Sequence, residues 1–182
     1  AAAGARKPGG PGGAGGRAFR GLLGRDGKSA VTMLQTGGPD APAWLRMRDA
    51  LWPEYEDKWH ASEIEQFFAG KLNMPLAVLL AFDDSGNAFG FVELSIRPYA
   101  EDCVTDRVAY LEGWYVVPEA RRRGVGRALV AAAEKWAVGQ GCTEFGSDAL
   151  IDNDVSAAAH KALGFEETVQ IRCFRKALPP AK

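Results

Sequence analysis

The sequence predicts an α/β (α+β) fold: a mixed sheet flanked by helices. Three observations carry the prediction. Apolar runs of strand length, rich in β-branched and aromatic residues, stand at 76–82, 89–96, 108–117 and 166–174, with a shorter one at 143–147. Segments with apolar residues at three- and four-residue spacing precede and interleave them. The resulting order, α-α-β-β-β-α-β-α-β, gives a sheet whose faces the helices must cover.

Taken in order, residues 1–30 are dominated by Gly, Ala, Pro and Arg. Such a stretch buries too little apolar surface to offset chain entropy, so residues 1–32 are expected to form a disordered extension, followed by one domain at 33–178 and a short tail at 179–182. The first helix enters at Asp40 or Ala41 with Pro42 in its first turn, and carries Trp44, Leu45, Met47 and Leu51 until Trp52-Pro53 disfavours continuation. A second helix is expected from about Ser62 to Ala69, where Ser62 and Glu65 have capping-box spacing. The piece between, Pro53 to His60, is rich in aromatics and acids, which suits a lid over a cationic ligand and equally an ordinary surface loop.

Asp83-Asp84-Ser85-Gly86-Asn87 joins two apolar runs as a β-hairpin. The central strand, Val108 to Val117, contains Gly113, a sign of a bulge or a close backbone approach. Strand periodicity puts Tyr110, Glu112, Trp114 and Val116 on one face. A helix carrying Leu129, Ala132, Ala133 and Trp136 stops at Gly139-Gln140-Gly141, and Asp152-Asn153-Asp154 opens another that closes at Gly164.

The charge balance narrows the function classes. The whole chain has a net charge of −1, but residues 1–30 hold six bases and one acid, so 16 bases and 22 acids remain and the body stands at −6. An acidic body draws in cations and does not suit nucleic acid. No apolar run reaches the roughly 20 residues needed to cross a bilayer, and the N-terminus lacks the apolar core of a signal peptide. Cys103, Cys142 and Cys173 are odd in number and lack metal-ligand spacing, which reads as free thiols in a reducing, cytoplasmic compartment with no metal.

The chemistry is organised around Val116-Val117-Pro118-Glu119-Ala120-Arg121-Arg122-Arg123-Gly124-Val125-Gly126-Arg127. A strand delivering a glycine-rich turn to a helix start is an anion cradle, because the first helical N–H groups lack internal partners and the macrodipole is positive there. Gly124 and Gly126 would let a diphosphate approach the main chain, and Arg121, Arg122, Arg123 and Arg127 add charge that phosphates can pair with. A solvated arginine cluster at an ordinary helix start is the alternative. Neither the Walker nor the dinucleotide fingerprint is present.

Arg-x-x-Gly-x-Gly after a Val-x-Pro strand end resembles the pyrophosphate motif of the GNAT superfamily, the acetyl-CoA-dependent N-acetyltransferases. Ala-Leu-Trp-Pro at 50–53, Ser-Ile-Arg at 95–97 with Tyr99, Leu-Glu-Gly at 111–113, Ser-Asp at 147–148, Asn153 and His-x-Ala-Leu-Gly-Phe at 160–165 are similar to the aminoglycoside 6′-N-acetyltransferases within it. The resemblance implies a GNAT fold with a mostly antiparallel sheet, acetyl-CoA as co-substrate, a cationic amine such as an aminoglycoside as acceptor, and a homodimer. It implies that Trp52, Tyr55, Tyr99, Glu112 and Asp148 line the acceptor site. Trp114, Tyr115, Val116 and residues 121–127, Val125 among them, would hold acetyl-CoA, with Asn153 contacting its arm. Tyr55 stands where close relatives would carry His, and Val169 where an acidic contact would lie.

Each role has a plainer rival. A buried Glu112 needs a function or a partner such as an arginine. Asp148 either positions the amine and accepts its proton or closes an Asx turn. His160 suits a proton donor to the departing thiolate, and equally a structural ring. Asn153 could simply cap its helix, and Trp52 could be core. The reading is direct acetyl transfer to an aminoglycoside 6′-amine. The alternatives are another small-molecule amine or peptide N-terminus as acceptor, and an acyl-CoA-binding module without turnover.

Overall fold

A six-stranded sheet, β1 to β6 in sequence order across it, forms the centre of the molecule. The computed structural model describes residues 22–23, 29–34, 38–54 and 57–179, and of 22–23, 29–34 and Asp57 the backbone alone. The elements are β1 (Leu22–Leu23), β2 (Ser29–Leu34), α1 (Ala41–Leu51), α2 (Asp57–Phe68), β3 (Ala77–Phe82), β4 (Ala88–Arg97), β5 (Val108–Val116), a 3₁₀ turn (Pro118–Ala120), α3 (Val125–Gly139), β6 (Phe145–Ser147) and α4 (Asp154–Lys161). Neighbouring strands run antiparallel except β5 and β6, which are parallel.

The two faces of the sheet bury separate cores. On one, Leu79, Ala81, Val92, Leu94 and Leu111 meet Leu129, Val130 and Ala133 of α3. On the other, Val78, Leu80 and Phe91 meet Trp44 and Met47 of α1 and Ile64 of α2. Trp44 and Leu129 are fully buried, each worth roughly 2–3 kcal/mol against exposure.

Several expectations are corrected. The sheet reaches further towards the N-terminus than residue 33: β1 and the start of β2 (Ser29–Leu34) lie within the stretch assigned to the extension, and β2 pairs antiparallel with β3. Composition averaged over thirty residues hides the short run Ala30-Val31-Thr32-Met33-Leu34, which has strand character. The rest of 1–28 and residues 180–182 lie outside the described residues. Helix α2 begins at Asp57, five residues before Ser62, so Ser62 is no cap; its hydroxyl accepts Gln66 Nε2 at 3.2 Å inside the helix. The buried His60 ring, 2.7 Å from Asp49 Oδ1, ties the early turn of α2 to α1.

The expected strand at 166–174 is not formed. After Gly164, in the left-handed region at φ 93°, the chain continues without regular structure and exposes Val169, Ile171, Phe174 and Leu178. A strand needs a ladder to pair with, and no strand among the described residues accepts this segment.

The face assignment along β5 also changes. Glu93 pairs with Gly113 and Leu94 with Leu111, leaving Glu112 as an extra residue in a β-bulge. A one-residue slip moves every later side chain to the opposite face. Glu112 bonds Ser95 and Arg97 on the α1/α2 side, whereas Trp114 and Val116 pack with α3.

Gly113 lies under the Trp52 ring, where an added Cβ would meet the ring at 2.6 Å; at Gly139 nothing lies within 4 Å. Gly113→Ala is therefore expected to cost about 1–3 kcal/mol and Gly139→Ala to be neutral or stabilising by up to about 1 kcal/mol, measured by urea unfolding.

Candidate active site

The bulge builds the acidic half of the site. Glu112 takes two bonds from Arg97, one from Nε at 2.9 Å and one from Nη2, and accepts the Ser95 hydroxyl on the same Oε1. Arg97 in turn lies over the Tyr110 ring, 3.4 Å from its centroid. Asp148, exposed at the loop after β6, stands in electrostatic reach of both Arg97 and the Tyr110 hydroxyl. Burial, and then the charge of Asp148, keep the Tyr110 phenol protonated well above its usual range. Glu112 and Asp148 thus converge on one arginine–tyrosine pair.

Beside this group lies a cleft of about 230 Å³ lined by Arg48, Trp52, Trp59, Glu63, Met74, Pro75, Glu93 and Glu112. Its floor is a second charge cluster. Trp44 Nε1 donates to Glu93 Oε1 at 2.8 Å, and Arg48 Nη2 donates to Glu63 Oε2 at 2.8 Å. Arg48 Nε stands 3.0 Å from Glu93 Oε1 as an ion pair whose N–H is directed off the oxygen; Nη1 is buried without a hydrogen-bond partner among the described residues. The Arg48 guanidinium is flanked by the Trp44 and Trp52 rings at 5.6 and 5.3 Å. Burial pushes the Glu93 carboxyl up to about 7, against the opposing pull of Arg48 and the Trp44 bond.

The other half of the site lies past the end of β6. The β5–β6 ladder stops at Leu111–Ser147, so the edge of β5 from Glu112 to Val116 has no strand on that side among the described residues. That edge leads to the turn before α3. Arg122 and Gly124 both have positive φ, 59° and 85°, and the first bond into the helix is Ala128 N–H to Gly124 C=O. The amides of 122–127 have no acceptor among the described residues, and successive amides around a left-handed residue form a concavity for anions. Arg121, Arg122, Arg123 and Arg127 are exposed around it; Arg121 bonds Val116 C=O and Arg127 bonds Ala162 C=O. These features fit a diphosphate.

Gly126 serves differently from expectation. An added Cβ would strike the Trp114 ring at 2.7 Å, so this glycine makes room for an indole, while Gly124 supplies the left-handed backbone and has open space above it. The Trp114 Nε1 is buried without a partner among the described residues, and its ring meets His160 edge-on at 5.3 Å. His160 Nδ1 lies 2.8 Å from Ser156 C=O, which assigns the proton to that nitrogen, and Nε2 lies 3.0 Å from Ser147 Oγ. Ser147 Oγ is also 3.2 Å from Leu111 C=O. A neutral ring accepts the serine proton; a charged ring donates to the serine, which then turns to Leu111.

The sequence-predicted residues therefore fall into two groups. Trp52 and Glu112 share the cleft, with Asp148 joined to Glu112 through Arg97 and Tyr110. Trp114, Val116, Gly124, Gly126 and His160 border the other side, while the Tyr115 ring packs on the α1/α2 core and only its backbone lies on the β5 edge. Tyr99 is exposed and forms no part of the cleft wall. Asn153 is the N-cap of α4, accepting Ser156 N–H at 3.0 Å. Tyr55 lies outside the described residues. Arg48, Glu63 and Glu93 were missed, although an acid in the middle of Phe89-Gly-Phe-Val-Glu-Leu-Ser-Ile is a visible signal.

The Acetyltransferase (GNAT) family profile matches residues 44–165. A Klebsiella aerogenes protein named aminoglycoside N(6′)-acetyltransferase type 1 is 58% identical over 139 residues, covering 76% of this chain and 91% of that protein. One of the same name from Acinetobacter baumannii is 43% identical over 134 residues, covering 73% and 89%. The solved structure of AAC(6′)-Iy in complex with the bisubstrate analogue CoA-S-monomethyl-acetylneamine matches with a TM-score of 0.75 at 34% identity, covering 82% of this chain and 99% of that one.

The state of Glu93 sets a pH dependence of folding. The native chain keeps the Glu93 proton until about pH 7, whereas an unfolded glutamate loses it near 4.5. The native state binds more protons across that window, so stability falls as pH rises through it, by up to roughly 3 kcal/mol. Glu93→Gln is expected to flatten that fall between pH 4.5 and 7.5, read as urea midpoints across the range.

Proposed function

The chain belongs to the acetyltransferase (GNAT) family, and from that premise we propose that it transfers acetyl from acetyl-CoA to the 6′-amine of aminoglycosides, by direct attack in a ternary complex, so conferring resistance. The observation that carries the reading is the two-sided arrangement about the end of β5. Acids converge on one side, and an unoccupied-amide turn ringed by arginines lies on the other.

The residue roles follow from the contacts. The turn at 121–127 grips the diphosphate of acetyl-CoA through its amides and arginines, and the free edge at Trp114–Val116 receives the arm. Bound acetyl-CoA supplies the acetyl thioester. Glu112 is held in place by Arg97 and Ser95, so it attracts and orients the ammonium. Asp148, faced by the neutral Tyr110 hydroxyl, is free to take the amine proton. His160 is fixed at Nδ1 by Ser156 C=O and meets Ser147 Oγ through Nε2; in its charged form the Nε2 proton passes to Ser147 as the serine gives its own towards the β5 edge where the thiol must leave, and the ring is left neutral. Asn153 contributes by capping α4, which carries His160.

The arm after Gly164 belongs to a homodimer in this reading. Val169, Ile171, Phe174 and Leu178 are exposed on a segment lacking a ladder, which a second copy can supply. The free thiols Cys103, Cys142 and Cys173 suit the reducing cytoplasm, where aminoglycosides act.

A thiol-release assay with acetyl-CoA and either kanamycin or tobramycin is expected to show drug-dependent turnover. Release with other amines alone would move the acceptor elsewhere, and tight acetyl-CoA binding without turnover on any amine would make the chain a binding module. Asp148→Ala is expected to lower kcat/KM roughly 10²-fold while changing the acetyl-CoA Kd less than about threefold. Equal losses would remove Asp148 from the amine site. Phe174→Glu is expected to shift the mass seen by light scattering from dimer to monomer; an unchanged mass would exclude the arm from the contact.

A further inference from the structure

The floor of the cleft carries more acid than the reacting amine requires. Glu63, Glu93 and Glu112 all line it, against Arg48 and, behind Glu112, Arg97. Arg97 is committed to Glu112 by two bonds. Arg48 alone is shared between the other two acids, reaching Glu63 Oε2 and Glu93 Oε1. Both contacts made to Glu93, from Trp44 and from Arg48, fall on Oε1. Oε2 bonds nothing among the described residues and is not one of the fully buried unpaired atoms, so it opens to the cleft that Glu93 lines. Burial keeps a proton on this acid in the free protein, and a further cation entering the cleft beside its open oxygen can take that proton's place. Trp52 and Trp59 line the same cleft.

We propose that Glu93 and Glu63 form a second cation subsite, which binds an ammonium group of the acceptor other than the one acetylated. The subsite rests on the aminoglycoside reading and deepens it: the enzyme selects molecules with at least two amines, one at Glu112 and Asp148, another at Glu93. Arg48 holds the two acids at the right separation, and its flanking Trp44 and Trp52 rings fix it in place. Every ionisable group around Glu93 has a defined part: Arg48 from α1 lowers its proton affinity, and Glu63 from α2 and Glu112 from β5 raise it. An arriving ammonium adds to the pull of Arg48. Burial has set the Glu93 carboxyl near 7, so it gives up its proton when the cation binds. The proton leaves to solvent and the ammonium replaces it as the counter-charge; no covalent bond is made.

Isothermal titration of the full chain with tobramycin, in buffers of different ionisation enthalpy, tests this. At pH 7 wild type is expected to release about half a proton more per bound tobramycin than Glu93→Gln does. Glu93→Gln is expected to raise the tobramycin Kd about tenfold, and that of methyl 6-amino-6-deoxyglucoside, which has only the reacting amine, less than twofold. Glutamine keeps the shape and the Trp44 bond. Should that variant fail to fold, Glu63→Gln, on a residue about a quarter exposed, is expected to weaken tobramycin roughly threefold with the same selectivity. Equal losses for both ligands, or identical proton release in wild type and variant, would overturn the subsite. Failure of wild type to bind tobramycin at all would instead reject the aminoglycoside reading.

Discussion

The constraint on which the site depends is the mismatch of one residue between β4 and β5. Without the extra residue at 112, strict alternation would put Glu112 on the same face as Trp114, against the apolar packing of α3. The bulge turns it to the side of Glu93, Ser95 and Arg97 and leaves Trp114 on the other. One backbone irregularity therefore sorts the strand into an acidic face and a face that borders the glycine turn before α3. The end of the β6 ladder at Ser147 completes the arrangement, because it frees the β5 edge that joins the two halves.

Charge is managed by arginine on the acidic side. Arg97 stacks on Tyr110 and forks onto Glu112, a geometry that a lysine could not reproduce with a single ammonium. Arg48 is 5% exposed and lies between indole rings, which compensates part of its desolvation and keeps it from swinging out. The overall acidity of the domain is thus no simple measure of the field in the cleft. Most of the local negative charge is already answered by Arg97 and Arg48, and burial keeps a proton on the deepest acid.

The strands and helices that repeat a simple period were legible in the sequence. The hairpin at β3 and β4, the α3 stripe and the Asn153 cap each rest on local chemistry, and the glycine turn before α3 was legible because its signal is a short run of fixed spacing. What escaped depends on contacts between distant segments. The start of α2 follows from His60 meeting Asp49, eleven residues away, and no capping rule registers that pair. Glu112 was singled out, but its face was misread because Gly113 announces a kink without saying which residue is extra. Arg48 and Glu93 are forty-five positions apart in sequence, and only the packing of α1 on β4 shows that they share a charge. The segment at 166–174 has strand composition without a partner, and composition alone does not provide a ladder.

The indole of Trp114 sits where a side chain at 126 would otherwise begin, and its edge touches His160. These three positions constitute an epistatic unit: while a large ring occupies 114, glycine is the sole tolerable residue at 126. A lineage that shrank the ring would release 126 to vary, but it would also remove one wall from the imidazole. The glycine is therefore required for a reason beyond the turn it belongs to, and its fate is tied to an aromatic twelve residues earlier.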